Sequence, residues 1–149
     1  MLIRLVEGQD TESWSHMRTA LWPETVDQHR SEIAEYFAGN SIDIVQAYVA
    51  VEGAEVVGFL ELNLRNFAEG SRSPKLPYVE AWYVKPAFQG RGYGKQLMKF
   101  AEEWALSEGY VEIASDTEID NVTSIAMHKH LGFVETERVV CFLKKLSVD

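Results

Sequence analysis

The stretch Gln89-Gly90-Arg91-Gly92-Tyr93-Gly94-Lys95 constrains this chain more than any other segment. It follows an apolar, strand-like run from Tyr78 to Val84 and opens an amphipathic run that continues to about Ser107. Glycines at alternate positions leave little side-chain bulk between the backbone and an approaching ligand. The first N–H groups of a helix have no intrahelical partner, and the helix dipole adds partial positive charge there. A glycine turn that leads into a helix N-terminus is therefore an anion site, most often used for phosphate. Arg91 and Lys95 add formal charge to it. The same unit limits topology, because a strand–helix–strand crossover makes its two strands parallel neighbours. Those strands are Tyr78–Val84 and Val111–Ser115.

The remaining segments read as mostly antiparallel. Leu2–Val6 is a first strand, and Asp10 or Thr11 caps a helix through Trp14, Met17, Arg18 and Leu21 that stops at Trp22-Pro23. A second helix runs from Val26 to Phe37 and ends at Gly39. Ile42–Val51 and Val56–Leu64 flank the turn Glu52-Gly53-Ala54 as a hairpin, and Arg65 to Pro77 is a loop. Leu97, Ala101, Trp104 and Ala105 form the apolar stripe of the helix after the glycine loop, which Gly109 terminates. Asp116 to Asp120 is a polar loop; Asp120 or Asn121 then caps a helix to Leu131, and Phe133 to Leu146 supplies one or two closing strands. The expected class is α+β: a mostly antiparallel mixed sheet flanked by helices, in one domain spanning 1–149.

A chain of 149 residues suffices for one real core and falls short of two comfortable ones. No long apolar run or signal-like N-terminus is present, so the expectation is a soluble cytoplasmic protein, with no membrane partner. The net charge of −9 repels nucleic acid and anionic membranes and favours cationic small molecules. Positive groups must then be concentrated locally, and Lys85, Arg91, Lys95 and Lys99 cluster around the glycine loop. Cys141, the single cysteine, sits among Val139, Val140, Phe142 and Leu143 and reads as a buried, inert strand position. His128 and His130 do not share a helix face, so no metal site is expected.

Spacing excludes two common phosphate motifs. A P-loop would need glycine where Gln89 stands, and Ser or Thr where Gln96 stands. A dinucleotide fingerprint needs G-x-G-x-x-G, whereas this run is Gly90-x-Gly92-x-Gly94. The run instead resembles the acyl-CoA signature Q/R-x-x-G-x-G/A of the GNAT superfamily of N-acetyltransferases, with Gln89, Gly92 and Gly94 at the fixed positions. A second signature, N-x-x-(S/A)-x-x-x-Y-x-x-x-G-F, is matched by Asn121, Ser124, Gly132 and Phe133. His128 occupies its tyrosine position, where many members carry the residue that protonates the departing thiolate. Within the superfamily the chain is most similar to the aminoglycoside 6'-N-acetyltransferases, through Trp22-Pro23, Pro77-Tyr78-Val79-Glu80 and Ser115-Asp116-Thr117.

That resemblance implies acetyl transfer from acetyl-CoA, as co-substrate, to a primary amine of an aminoglycoside. It implies an acceptor site lined by Trp22, Phe67, Tyr78, Glu80, Asp116 and Glu137. Trp82, Tyr83 and Val84 would align the thioester, Gln89, Gly90, Arg91, Gly92, Tyr93, Gly94 and Lys95 would hold the pyrophosphate, and Asn121 a polar group of the coenzyme. It also implies a homodimer in which C-terminal strands of one subunit can complete the partner's site. The chemistry needs a carboxylate that binds the acceptor ammonium and passes its proton to water. Strict alternation puts Tyr78, Glu80, Trp82 and Val84 on one strand face and Val79, Ala81 and Tyr83 on the other. Glu80 is thus either that carboxylate or half of a structural salt bridge, and Asp116 is the second candidate. A polyamine, another small amine or a protein N-terminus would suit an acidic pocket as well, and a non-catalytic acyl-CoA-binding module is the remaining alternative.

Overall fold

Five strands form one sheet in the order β1 (Leu2–Leu5), β2 (Gln46–Glu52), β3 (Glu55–Arg65), β4 (Leu76–Val84) and β5 (Ala114–Ser115). The computed structural model describes residues 1–147. The first four strands pair antiparallel in sequence order, and β5 lies parallel to β4, with Tyr78 opposite Ala114 and Val79 opposite Ser115. Between those two parallel strands runs α3 (Tyr93–Ser107), the crossover that the glycine stretch demanded. β4 continues from Glu80 to Val84 beyond its ladder with β5.

Two compact units make up the chain, Met1–Asp116 and the stretch from Thr117 onward. In the first, α1 (Thr11–Leu21) and α2 (His29–Phe37) bury Trp14, Met17 and Ile33 against Val49, Phe59 and Ala81 of the sheet. Asp10 stands at the N-cap position of α1, yet its carboxylate accepts from Arg4 and from the Glu7 N–H instead. On α3 the stripe Leu97, Met98, Ala101 and Ala105 is buried, and the helix packs on β2, β3 and β4. A side chain such as Leu97, with no exposed surface, contributes roughly 1.5–3 kcal/mol by leaving water. No described helix is long and apolar enough to cross a membrane.

Several sequence boundaries shift. The segment before α2, from Pro23 to Gln28, is 3-10 helix interrupted at Thr25, because Pro23 permits a first turn but Thr25 leaves helical geometry. β2 begins at Gln46 rather than Ile42, and β5 is confined to Ala114–Ser115 with Val111 exposed. Arg65 belongs to β3 and not to the following loop.

The larger correction lies in β4. Glu61 pairs with Ala81 and Leu62 with Val79, so Glu80 is an extra residue without an opposite number on β3. A bulge of this kind breaks the two-residue alternation and re-aims side chains. Tyr78, Glu80, Ala81 and Tyr83 consequently share the α1–α2 face: Glu80 bonds Asn63 and Arg65, while Ala81 and Tyr83 join the Trp14 cluster. Trp82 faces α3, where its indole N–H donates to the Gly94 carbonyl at 3.0 Å. Strict alternation had grouped Glu80 with Trp82, and the bulge separates them.

The second unit contains α4 (Val122–His130), capped as expected by Asn121, whose side-chain oxygen accepts from Ser124 N at 3.1 Å. From Phe133 to Leu146 the expected closing strands are absent. Apolar alternation supplies only one side of a strand; the ladder needs a neighbour, and none pairs with this segment among the described residues. Phe142 and Leu143 are more than nine-tenths exposed, and Cys141, expected to be buried, is exposed with them.

Candidate active site

Glu80 is where the bulge delivers a carboxylate to a pocket. Arg65 grips it with two hydrogen bonds, Nε to Oε2 at 2.8 Å and Nη2 to Oε1 at 2.6 Å, and Asn63 Nδ2 donates at 3.3 Å. The salt-bridge partner foreseen for a half-buried glutamate thus exists. Two anchored oxygens fix the orientation of the group, yet a carboxylate offers about four acceptor directions, so further donors can reach it. Arg65 also lies over the Tyr78 ring, its guanidinium carbon 3.7 Å from the centroid. The Tyr78 hydroxyl in turn donates to Asp116 Oδ2 at 2.6 Å. Burial, with the Asp116 carboxylate adding to it, pushes the phenol pKa up, so Tyr78 acts there as a fixed donor. Glu80, Arg65, Tyr78 and Asp116 therefore form one connected row.

The pocket beside Glu80 has a volume of about 550 Å³. Its walls include Trp22 and the carboxylates of Glu24, Glu32, Asp43, Glu61 and Glu80, against the two guanidiniums of Arg18 and Arg65. Such a balance selects for cations. Phe67 is exposed on the loop after β3 and lines a separate depression with Arg65 and Lys75.

Glu61 went unnoticed in the sequence and is the most unusual group here. It is 1% exposed, accepts from Trp14 Nε1 at 2.7 Å and lies 3.0 Å from Arg18 Nε. Burial raises its carboxyl to about pKa 7, outweighing the Arg18 charge and the Trp14 hydrogen bond, which pull the other way. The signal was available: from Phe59, alternation puts Glu61 on the core-facing side of β3.

At the glycine loop, Gly90 and Gly92 have φ of +79° and +88°, a backbone conformation that side-chain-bearing residues rarely adopt. Space is not what requires glycine at position 92, since an added Cβ would meet only the tip of Met1 at 3.9 Å. Gln89 Nε2 donates to the Val84 carbonyl at 3.0 Å and ties the loop to the end of β4. The two arched glycines then lead into the unpaired first turn of α3, a geometry suited to a phosphate. The Tyr93 ring is buried, so only its backbone belongs to that turn. Two of the clustered bases already have acidic partners on the β2–β3 hairpin: Arg91 with Glu52 at 3.3 Å and Lys85 with Glu55 at 3.2 Å.

In the second unit, the His128 ring nitrogen lies 2.7 Å from the Ser124 carbonyl, and the ring meets Phe133 edge-on. Glu137 is exposed and accepts from the Arg138 N–H at 3.1 Å. Among the described residues no group of His, Cys, Asp and Glu is arranged to hold a metal ion.

The profile of the Acetyltransferase (GNAT) family matches residues 11–133. The chain belongs to that family. It is 42% identical, over 97% of both chains, to an aminoglycoside N(6')-acetyltransferase type 1 of Klebsiella aerogenes. Among solved structures it is similar to apo aminoglycoside 6'-N-acetyltransferase AAC(6')-IG of Acinetobacter haemolyticus, with a TM-score of 0.88, 32% identity, and coverage of 99% of this chain and 100% of that one. A second is AAC(6')-Iy in complex with the bisubstrate analogue CoA-S-monomethyl-acetylneamine, with a TM-score of 0.86, 31% identity, and coverage of 97% and 98%. Membership in the GNAT family agrees with the two sequence signatures and with the parallel β4–β5 pair.

Glu61 gives this GNAT domain a pH signature. The unfolded carboxyl ionises near 4.5 and the folded one near 7, so folding retains a proton between those values. Stability therefore falls as pH rises through that window, by on the order of 3 kcal/mol for the full shift. Glu12, Glu112 and Glu135, held low by hydrogen bonds from Arg30, Ser71 and Arg138, act in a lower window. Thermal unfolding between pH 5 and 7.5 should show a decline in Tm that Glu61→Gln flattens; an equal decline in the variant would assign the slope to other groups.

Proposed function

We propose that the chain is an aminoglycoside 6'-N-acetyltransferase, moving the acetyl group of acetyl-CoA to a primary amine of the antibiotic by direct attack. The observation that carries the acceptor half is Glu80, turned by the bulge into a cation-selecting pocket walled by Trp22. The relatives, named for the same reaction and aligned over nearly their whole length, support that acceptor class. Trp22 offers a flat face to a sugar ring, while Glu80, with Asp116 behind Tyr78, attracts its ammonium groups.

Glu80 binds the reacting ammonium and passes its proton to water. The freed nitrogen attacks the thioester carbonyl carbon, a C–N bond forms, and the carbonyl oxygen takes the negative charge. Backbone N–H near Val84 stabilises that oxyanion. Collapse breaks the C–S bond, and the nitrogen's second proton passes to the departing thiolate, so that CoA leaves as the thiol. Gln89 to Lys95 hold the pyrophosphate, and the edge of Trp82 to Val84 aligns the thioester arm. Acetyl-CoA supply would place the enzyme in the cytoplasm. Expression in a susceptible bacterium would confer resistance to kanamycin.

We also infer a homodimer. The exposed apolar run through Val139, Val140, Phe142, Leu143 and Leu146 has the pattern of strands in need of a ladder, which a second copy of this chain would supply. Sedimentation equilibrium reads this directly: the mass of two chains is expected, and the mass of one at micromolar concentration contradicts it.

The catalytic assignment predicts that Glu80→Gln lowers kcat with kanamycin roughly 100-fold or more, the scale of general base catalysis. The acetyl-CoA KM should stay within about twofold, because the coenzyme groups lie on other residues. Unchanged turnover in that variant would remove Glu80 from the reaction.

A further inference from the structure

Beneath the pocket lies a buried scaffold that the proposed chemistry does not use. Arg18 leaves α1 with only 5% of its side chain exposed. Its Nε lies 3.0 Å from Glu61 Oε2, its Nη2 donates to Glu32 Oε2 at 3.0 Å, and its guanidinium carbon stands 5.2 Å from the Trp22 ring centroid. Glu61 is itself held by Trp14, so the guanidinium is anchored to β3. Trp22 follows the last residue of α1 at φ −132° and ψ 72°, outside helical geometry, and its ring orientation needs support from elsewhere. His29 ties down the backbone there, with Nε2 3.1 Å from the Trp22 carbonyl.

We propose that Arg18, anchored by Glu61, is the positioning residue that sets Trp22 and Glu32 on the wall of the acceptor pocket. Stability alone is a poor reason for this arrangement. A buried ion pair often stabilises no more than apolar residues of equal volume, and here Nη1 has no hydrogen-bond partner and Nε, though 3.0 Å from Glu61 Oε2, makes no hydrogen bond either. What a guanidinium does supply is a flat, rigid plane that can face an aromatic ring while it donates to one carboxylate, here Glu32, and pairs by charge with a second, here Glu61. Lysine would carry the charge without that plane. Both Trp22 and Glu32 line the pocket. The inference rests on reading that pocket as the acceptor site.

The test compares Tm and steady-state kinetics with kanamycin and acetyl-CoA in four variants. R18M takes the ion-pair partner from the buried Glu61 carboxyl and should lower Tm. R18M/E61Q replaces that unpaired carboxyl with a neutral amide and leaves Trp14 an oxygen acceptor, so Tm should largely recover. The kanamycin KM should nevertheless stay raised about tenfold in R18M/E61Q, with kcat and the acetyl-CoA KM within about threefold. W22A should raise the same KM, and R18K should fall between wild type and the double variant. A wild-type kanamycin KM in R18M/E61Q, with W22A impaired, overturns the positioning role and leaves the acceptor pocket standing. A wild-type KM in W22A as well overturns the pocket assignment beneath it. If the double variant does not fold, R18K decides, and a wild-type kanamycin KM there overturns the proposal.

Discussion

One extra residue in β4 organises this molecule. Without the bulge, Glu80 would share a face with Trp82 and point toward α3. With it, the carboxylate turns to the α1–α2 side, where Arg65 and Asn63 fix it, while Trp82 stays against Gly94. A single strand thereby serves two surfaces. Its α1–α2 face gives a carboxylate to an acidic pocket, and its far end leads through Gln89 into the glycine loop and the α3 N-terminus. The proposed reaction needs an amine and a thioester to meet, and β4 is the element common to both sides.

The electrostatics follow a similar division. The chain carries an excess of acids, and the pocket concentrates five of them around two arginines. Each arginine holds a carboxylate that would otherwise be costly: Arg65 for the half-buried Glu80, and Arg18 for the fully buried Glu61. Charge pairing here sets geometry more than it adds stability. At the opposite end Gly90 and Gly92 arch the glycine loop at positive φ, and Glu52 and Glu55 engage Arg91 and Lys85 beside it.

The elements with local signals were legible. The glycine loop, the two signatures and the helix-spaced stripe of α3 announced the crossover and the family. Trp22, Tyr78, Glu80 and Asp116 fall in one unit, with Tyr78, Glu80 and Asp116 in a connected row. The bulge was hidden because it exists only relative to β3, in the register of Glu61 and Leu62. Arg65 and Arg18 were hidden because an arginine's partners lie far along the chain: Glu80 for one, Glu61 for the other. Phe133 to Leu146 misled for a related reason, since its apolar pattern demands a ladder that must come from another segment or another molecule.

The most direct measurement is a crystal structure of the enzyme with CoA and kanamycin bound together. The 6'-nitrogen is expected within hydrogen-bonding distance of Glu80, on the α1–α2 face beside Trp22. A 6'-nitrogen on the α3 face, or on the α1–α2 face with its carboxylate contact made elsewhere than Glu80, would contradict it.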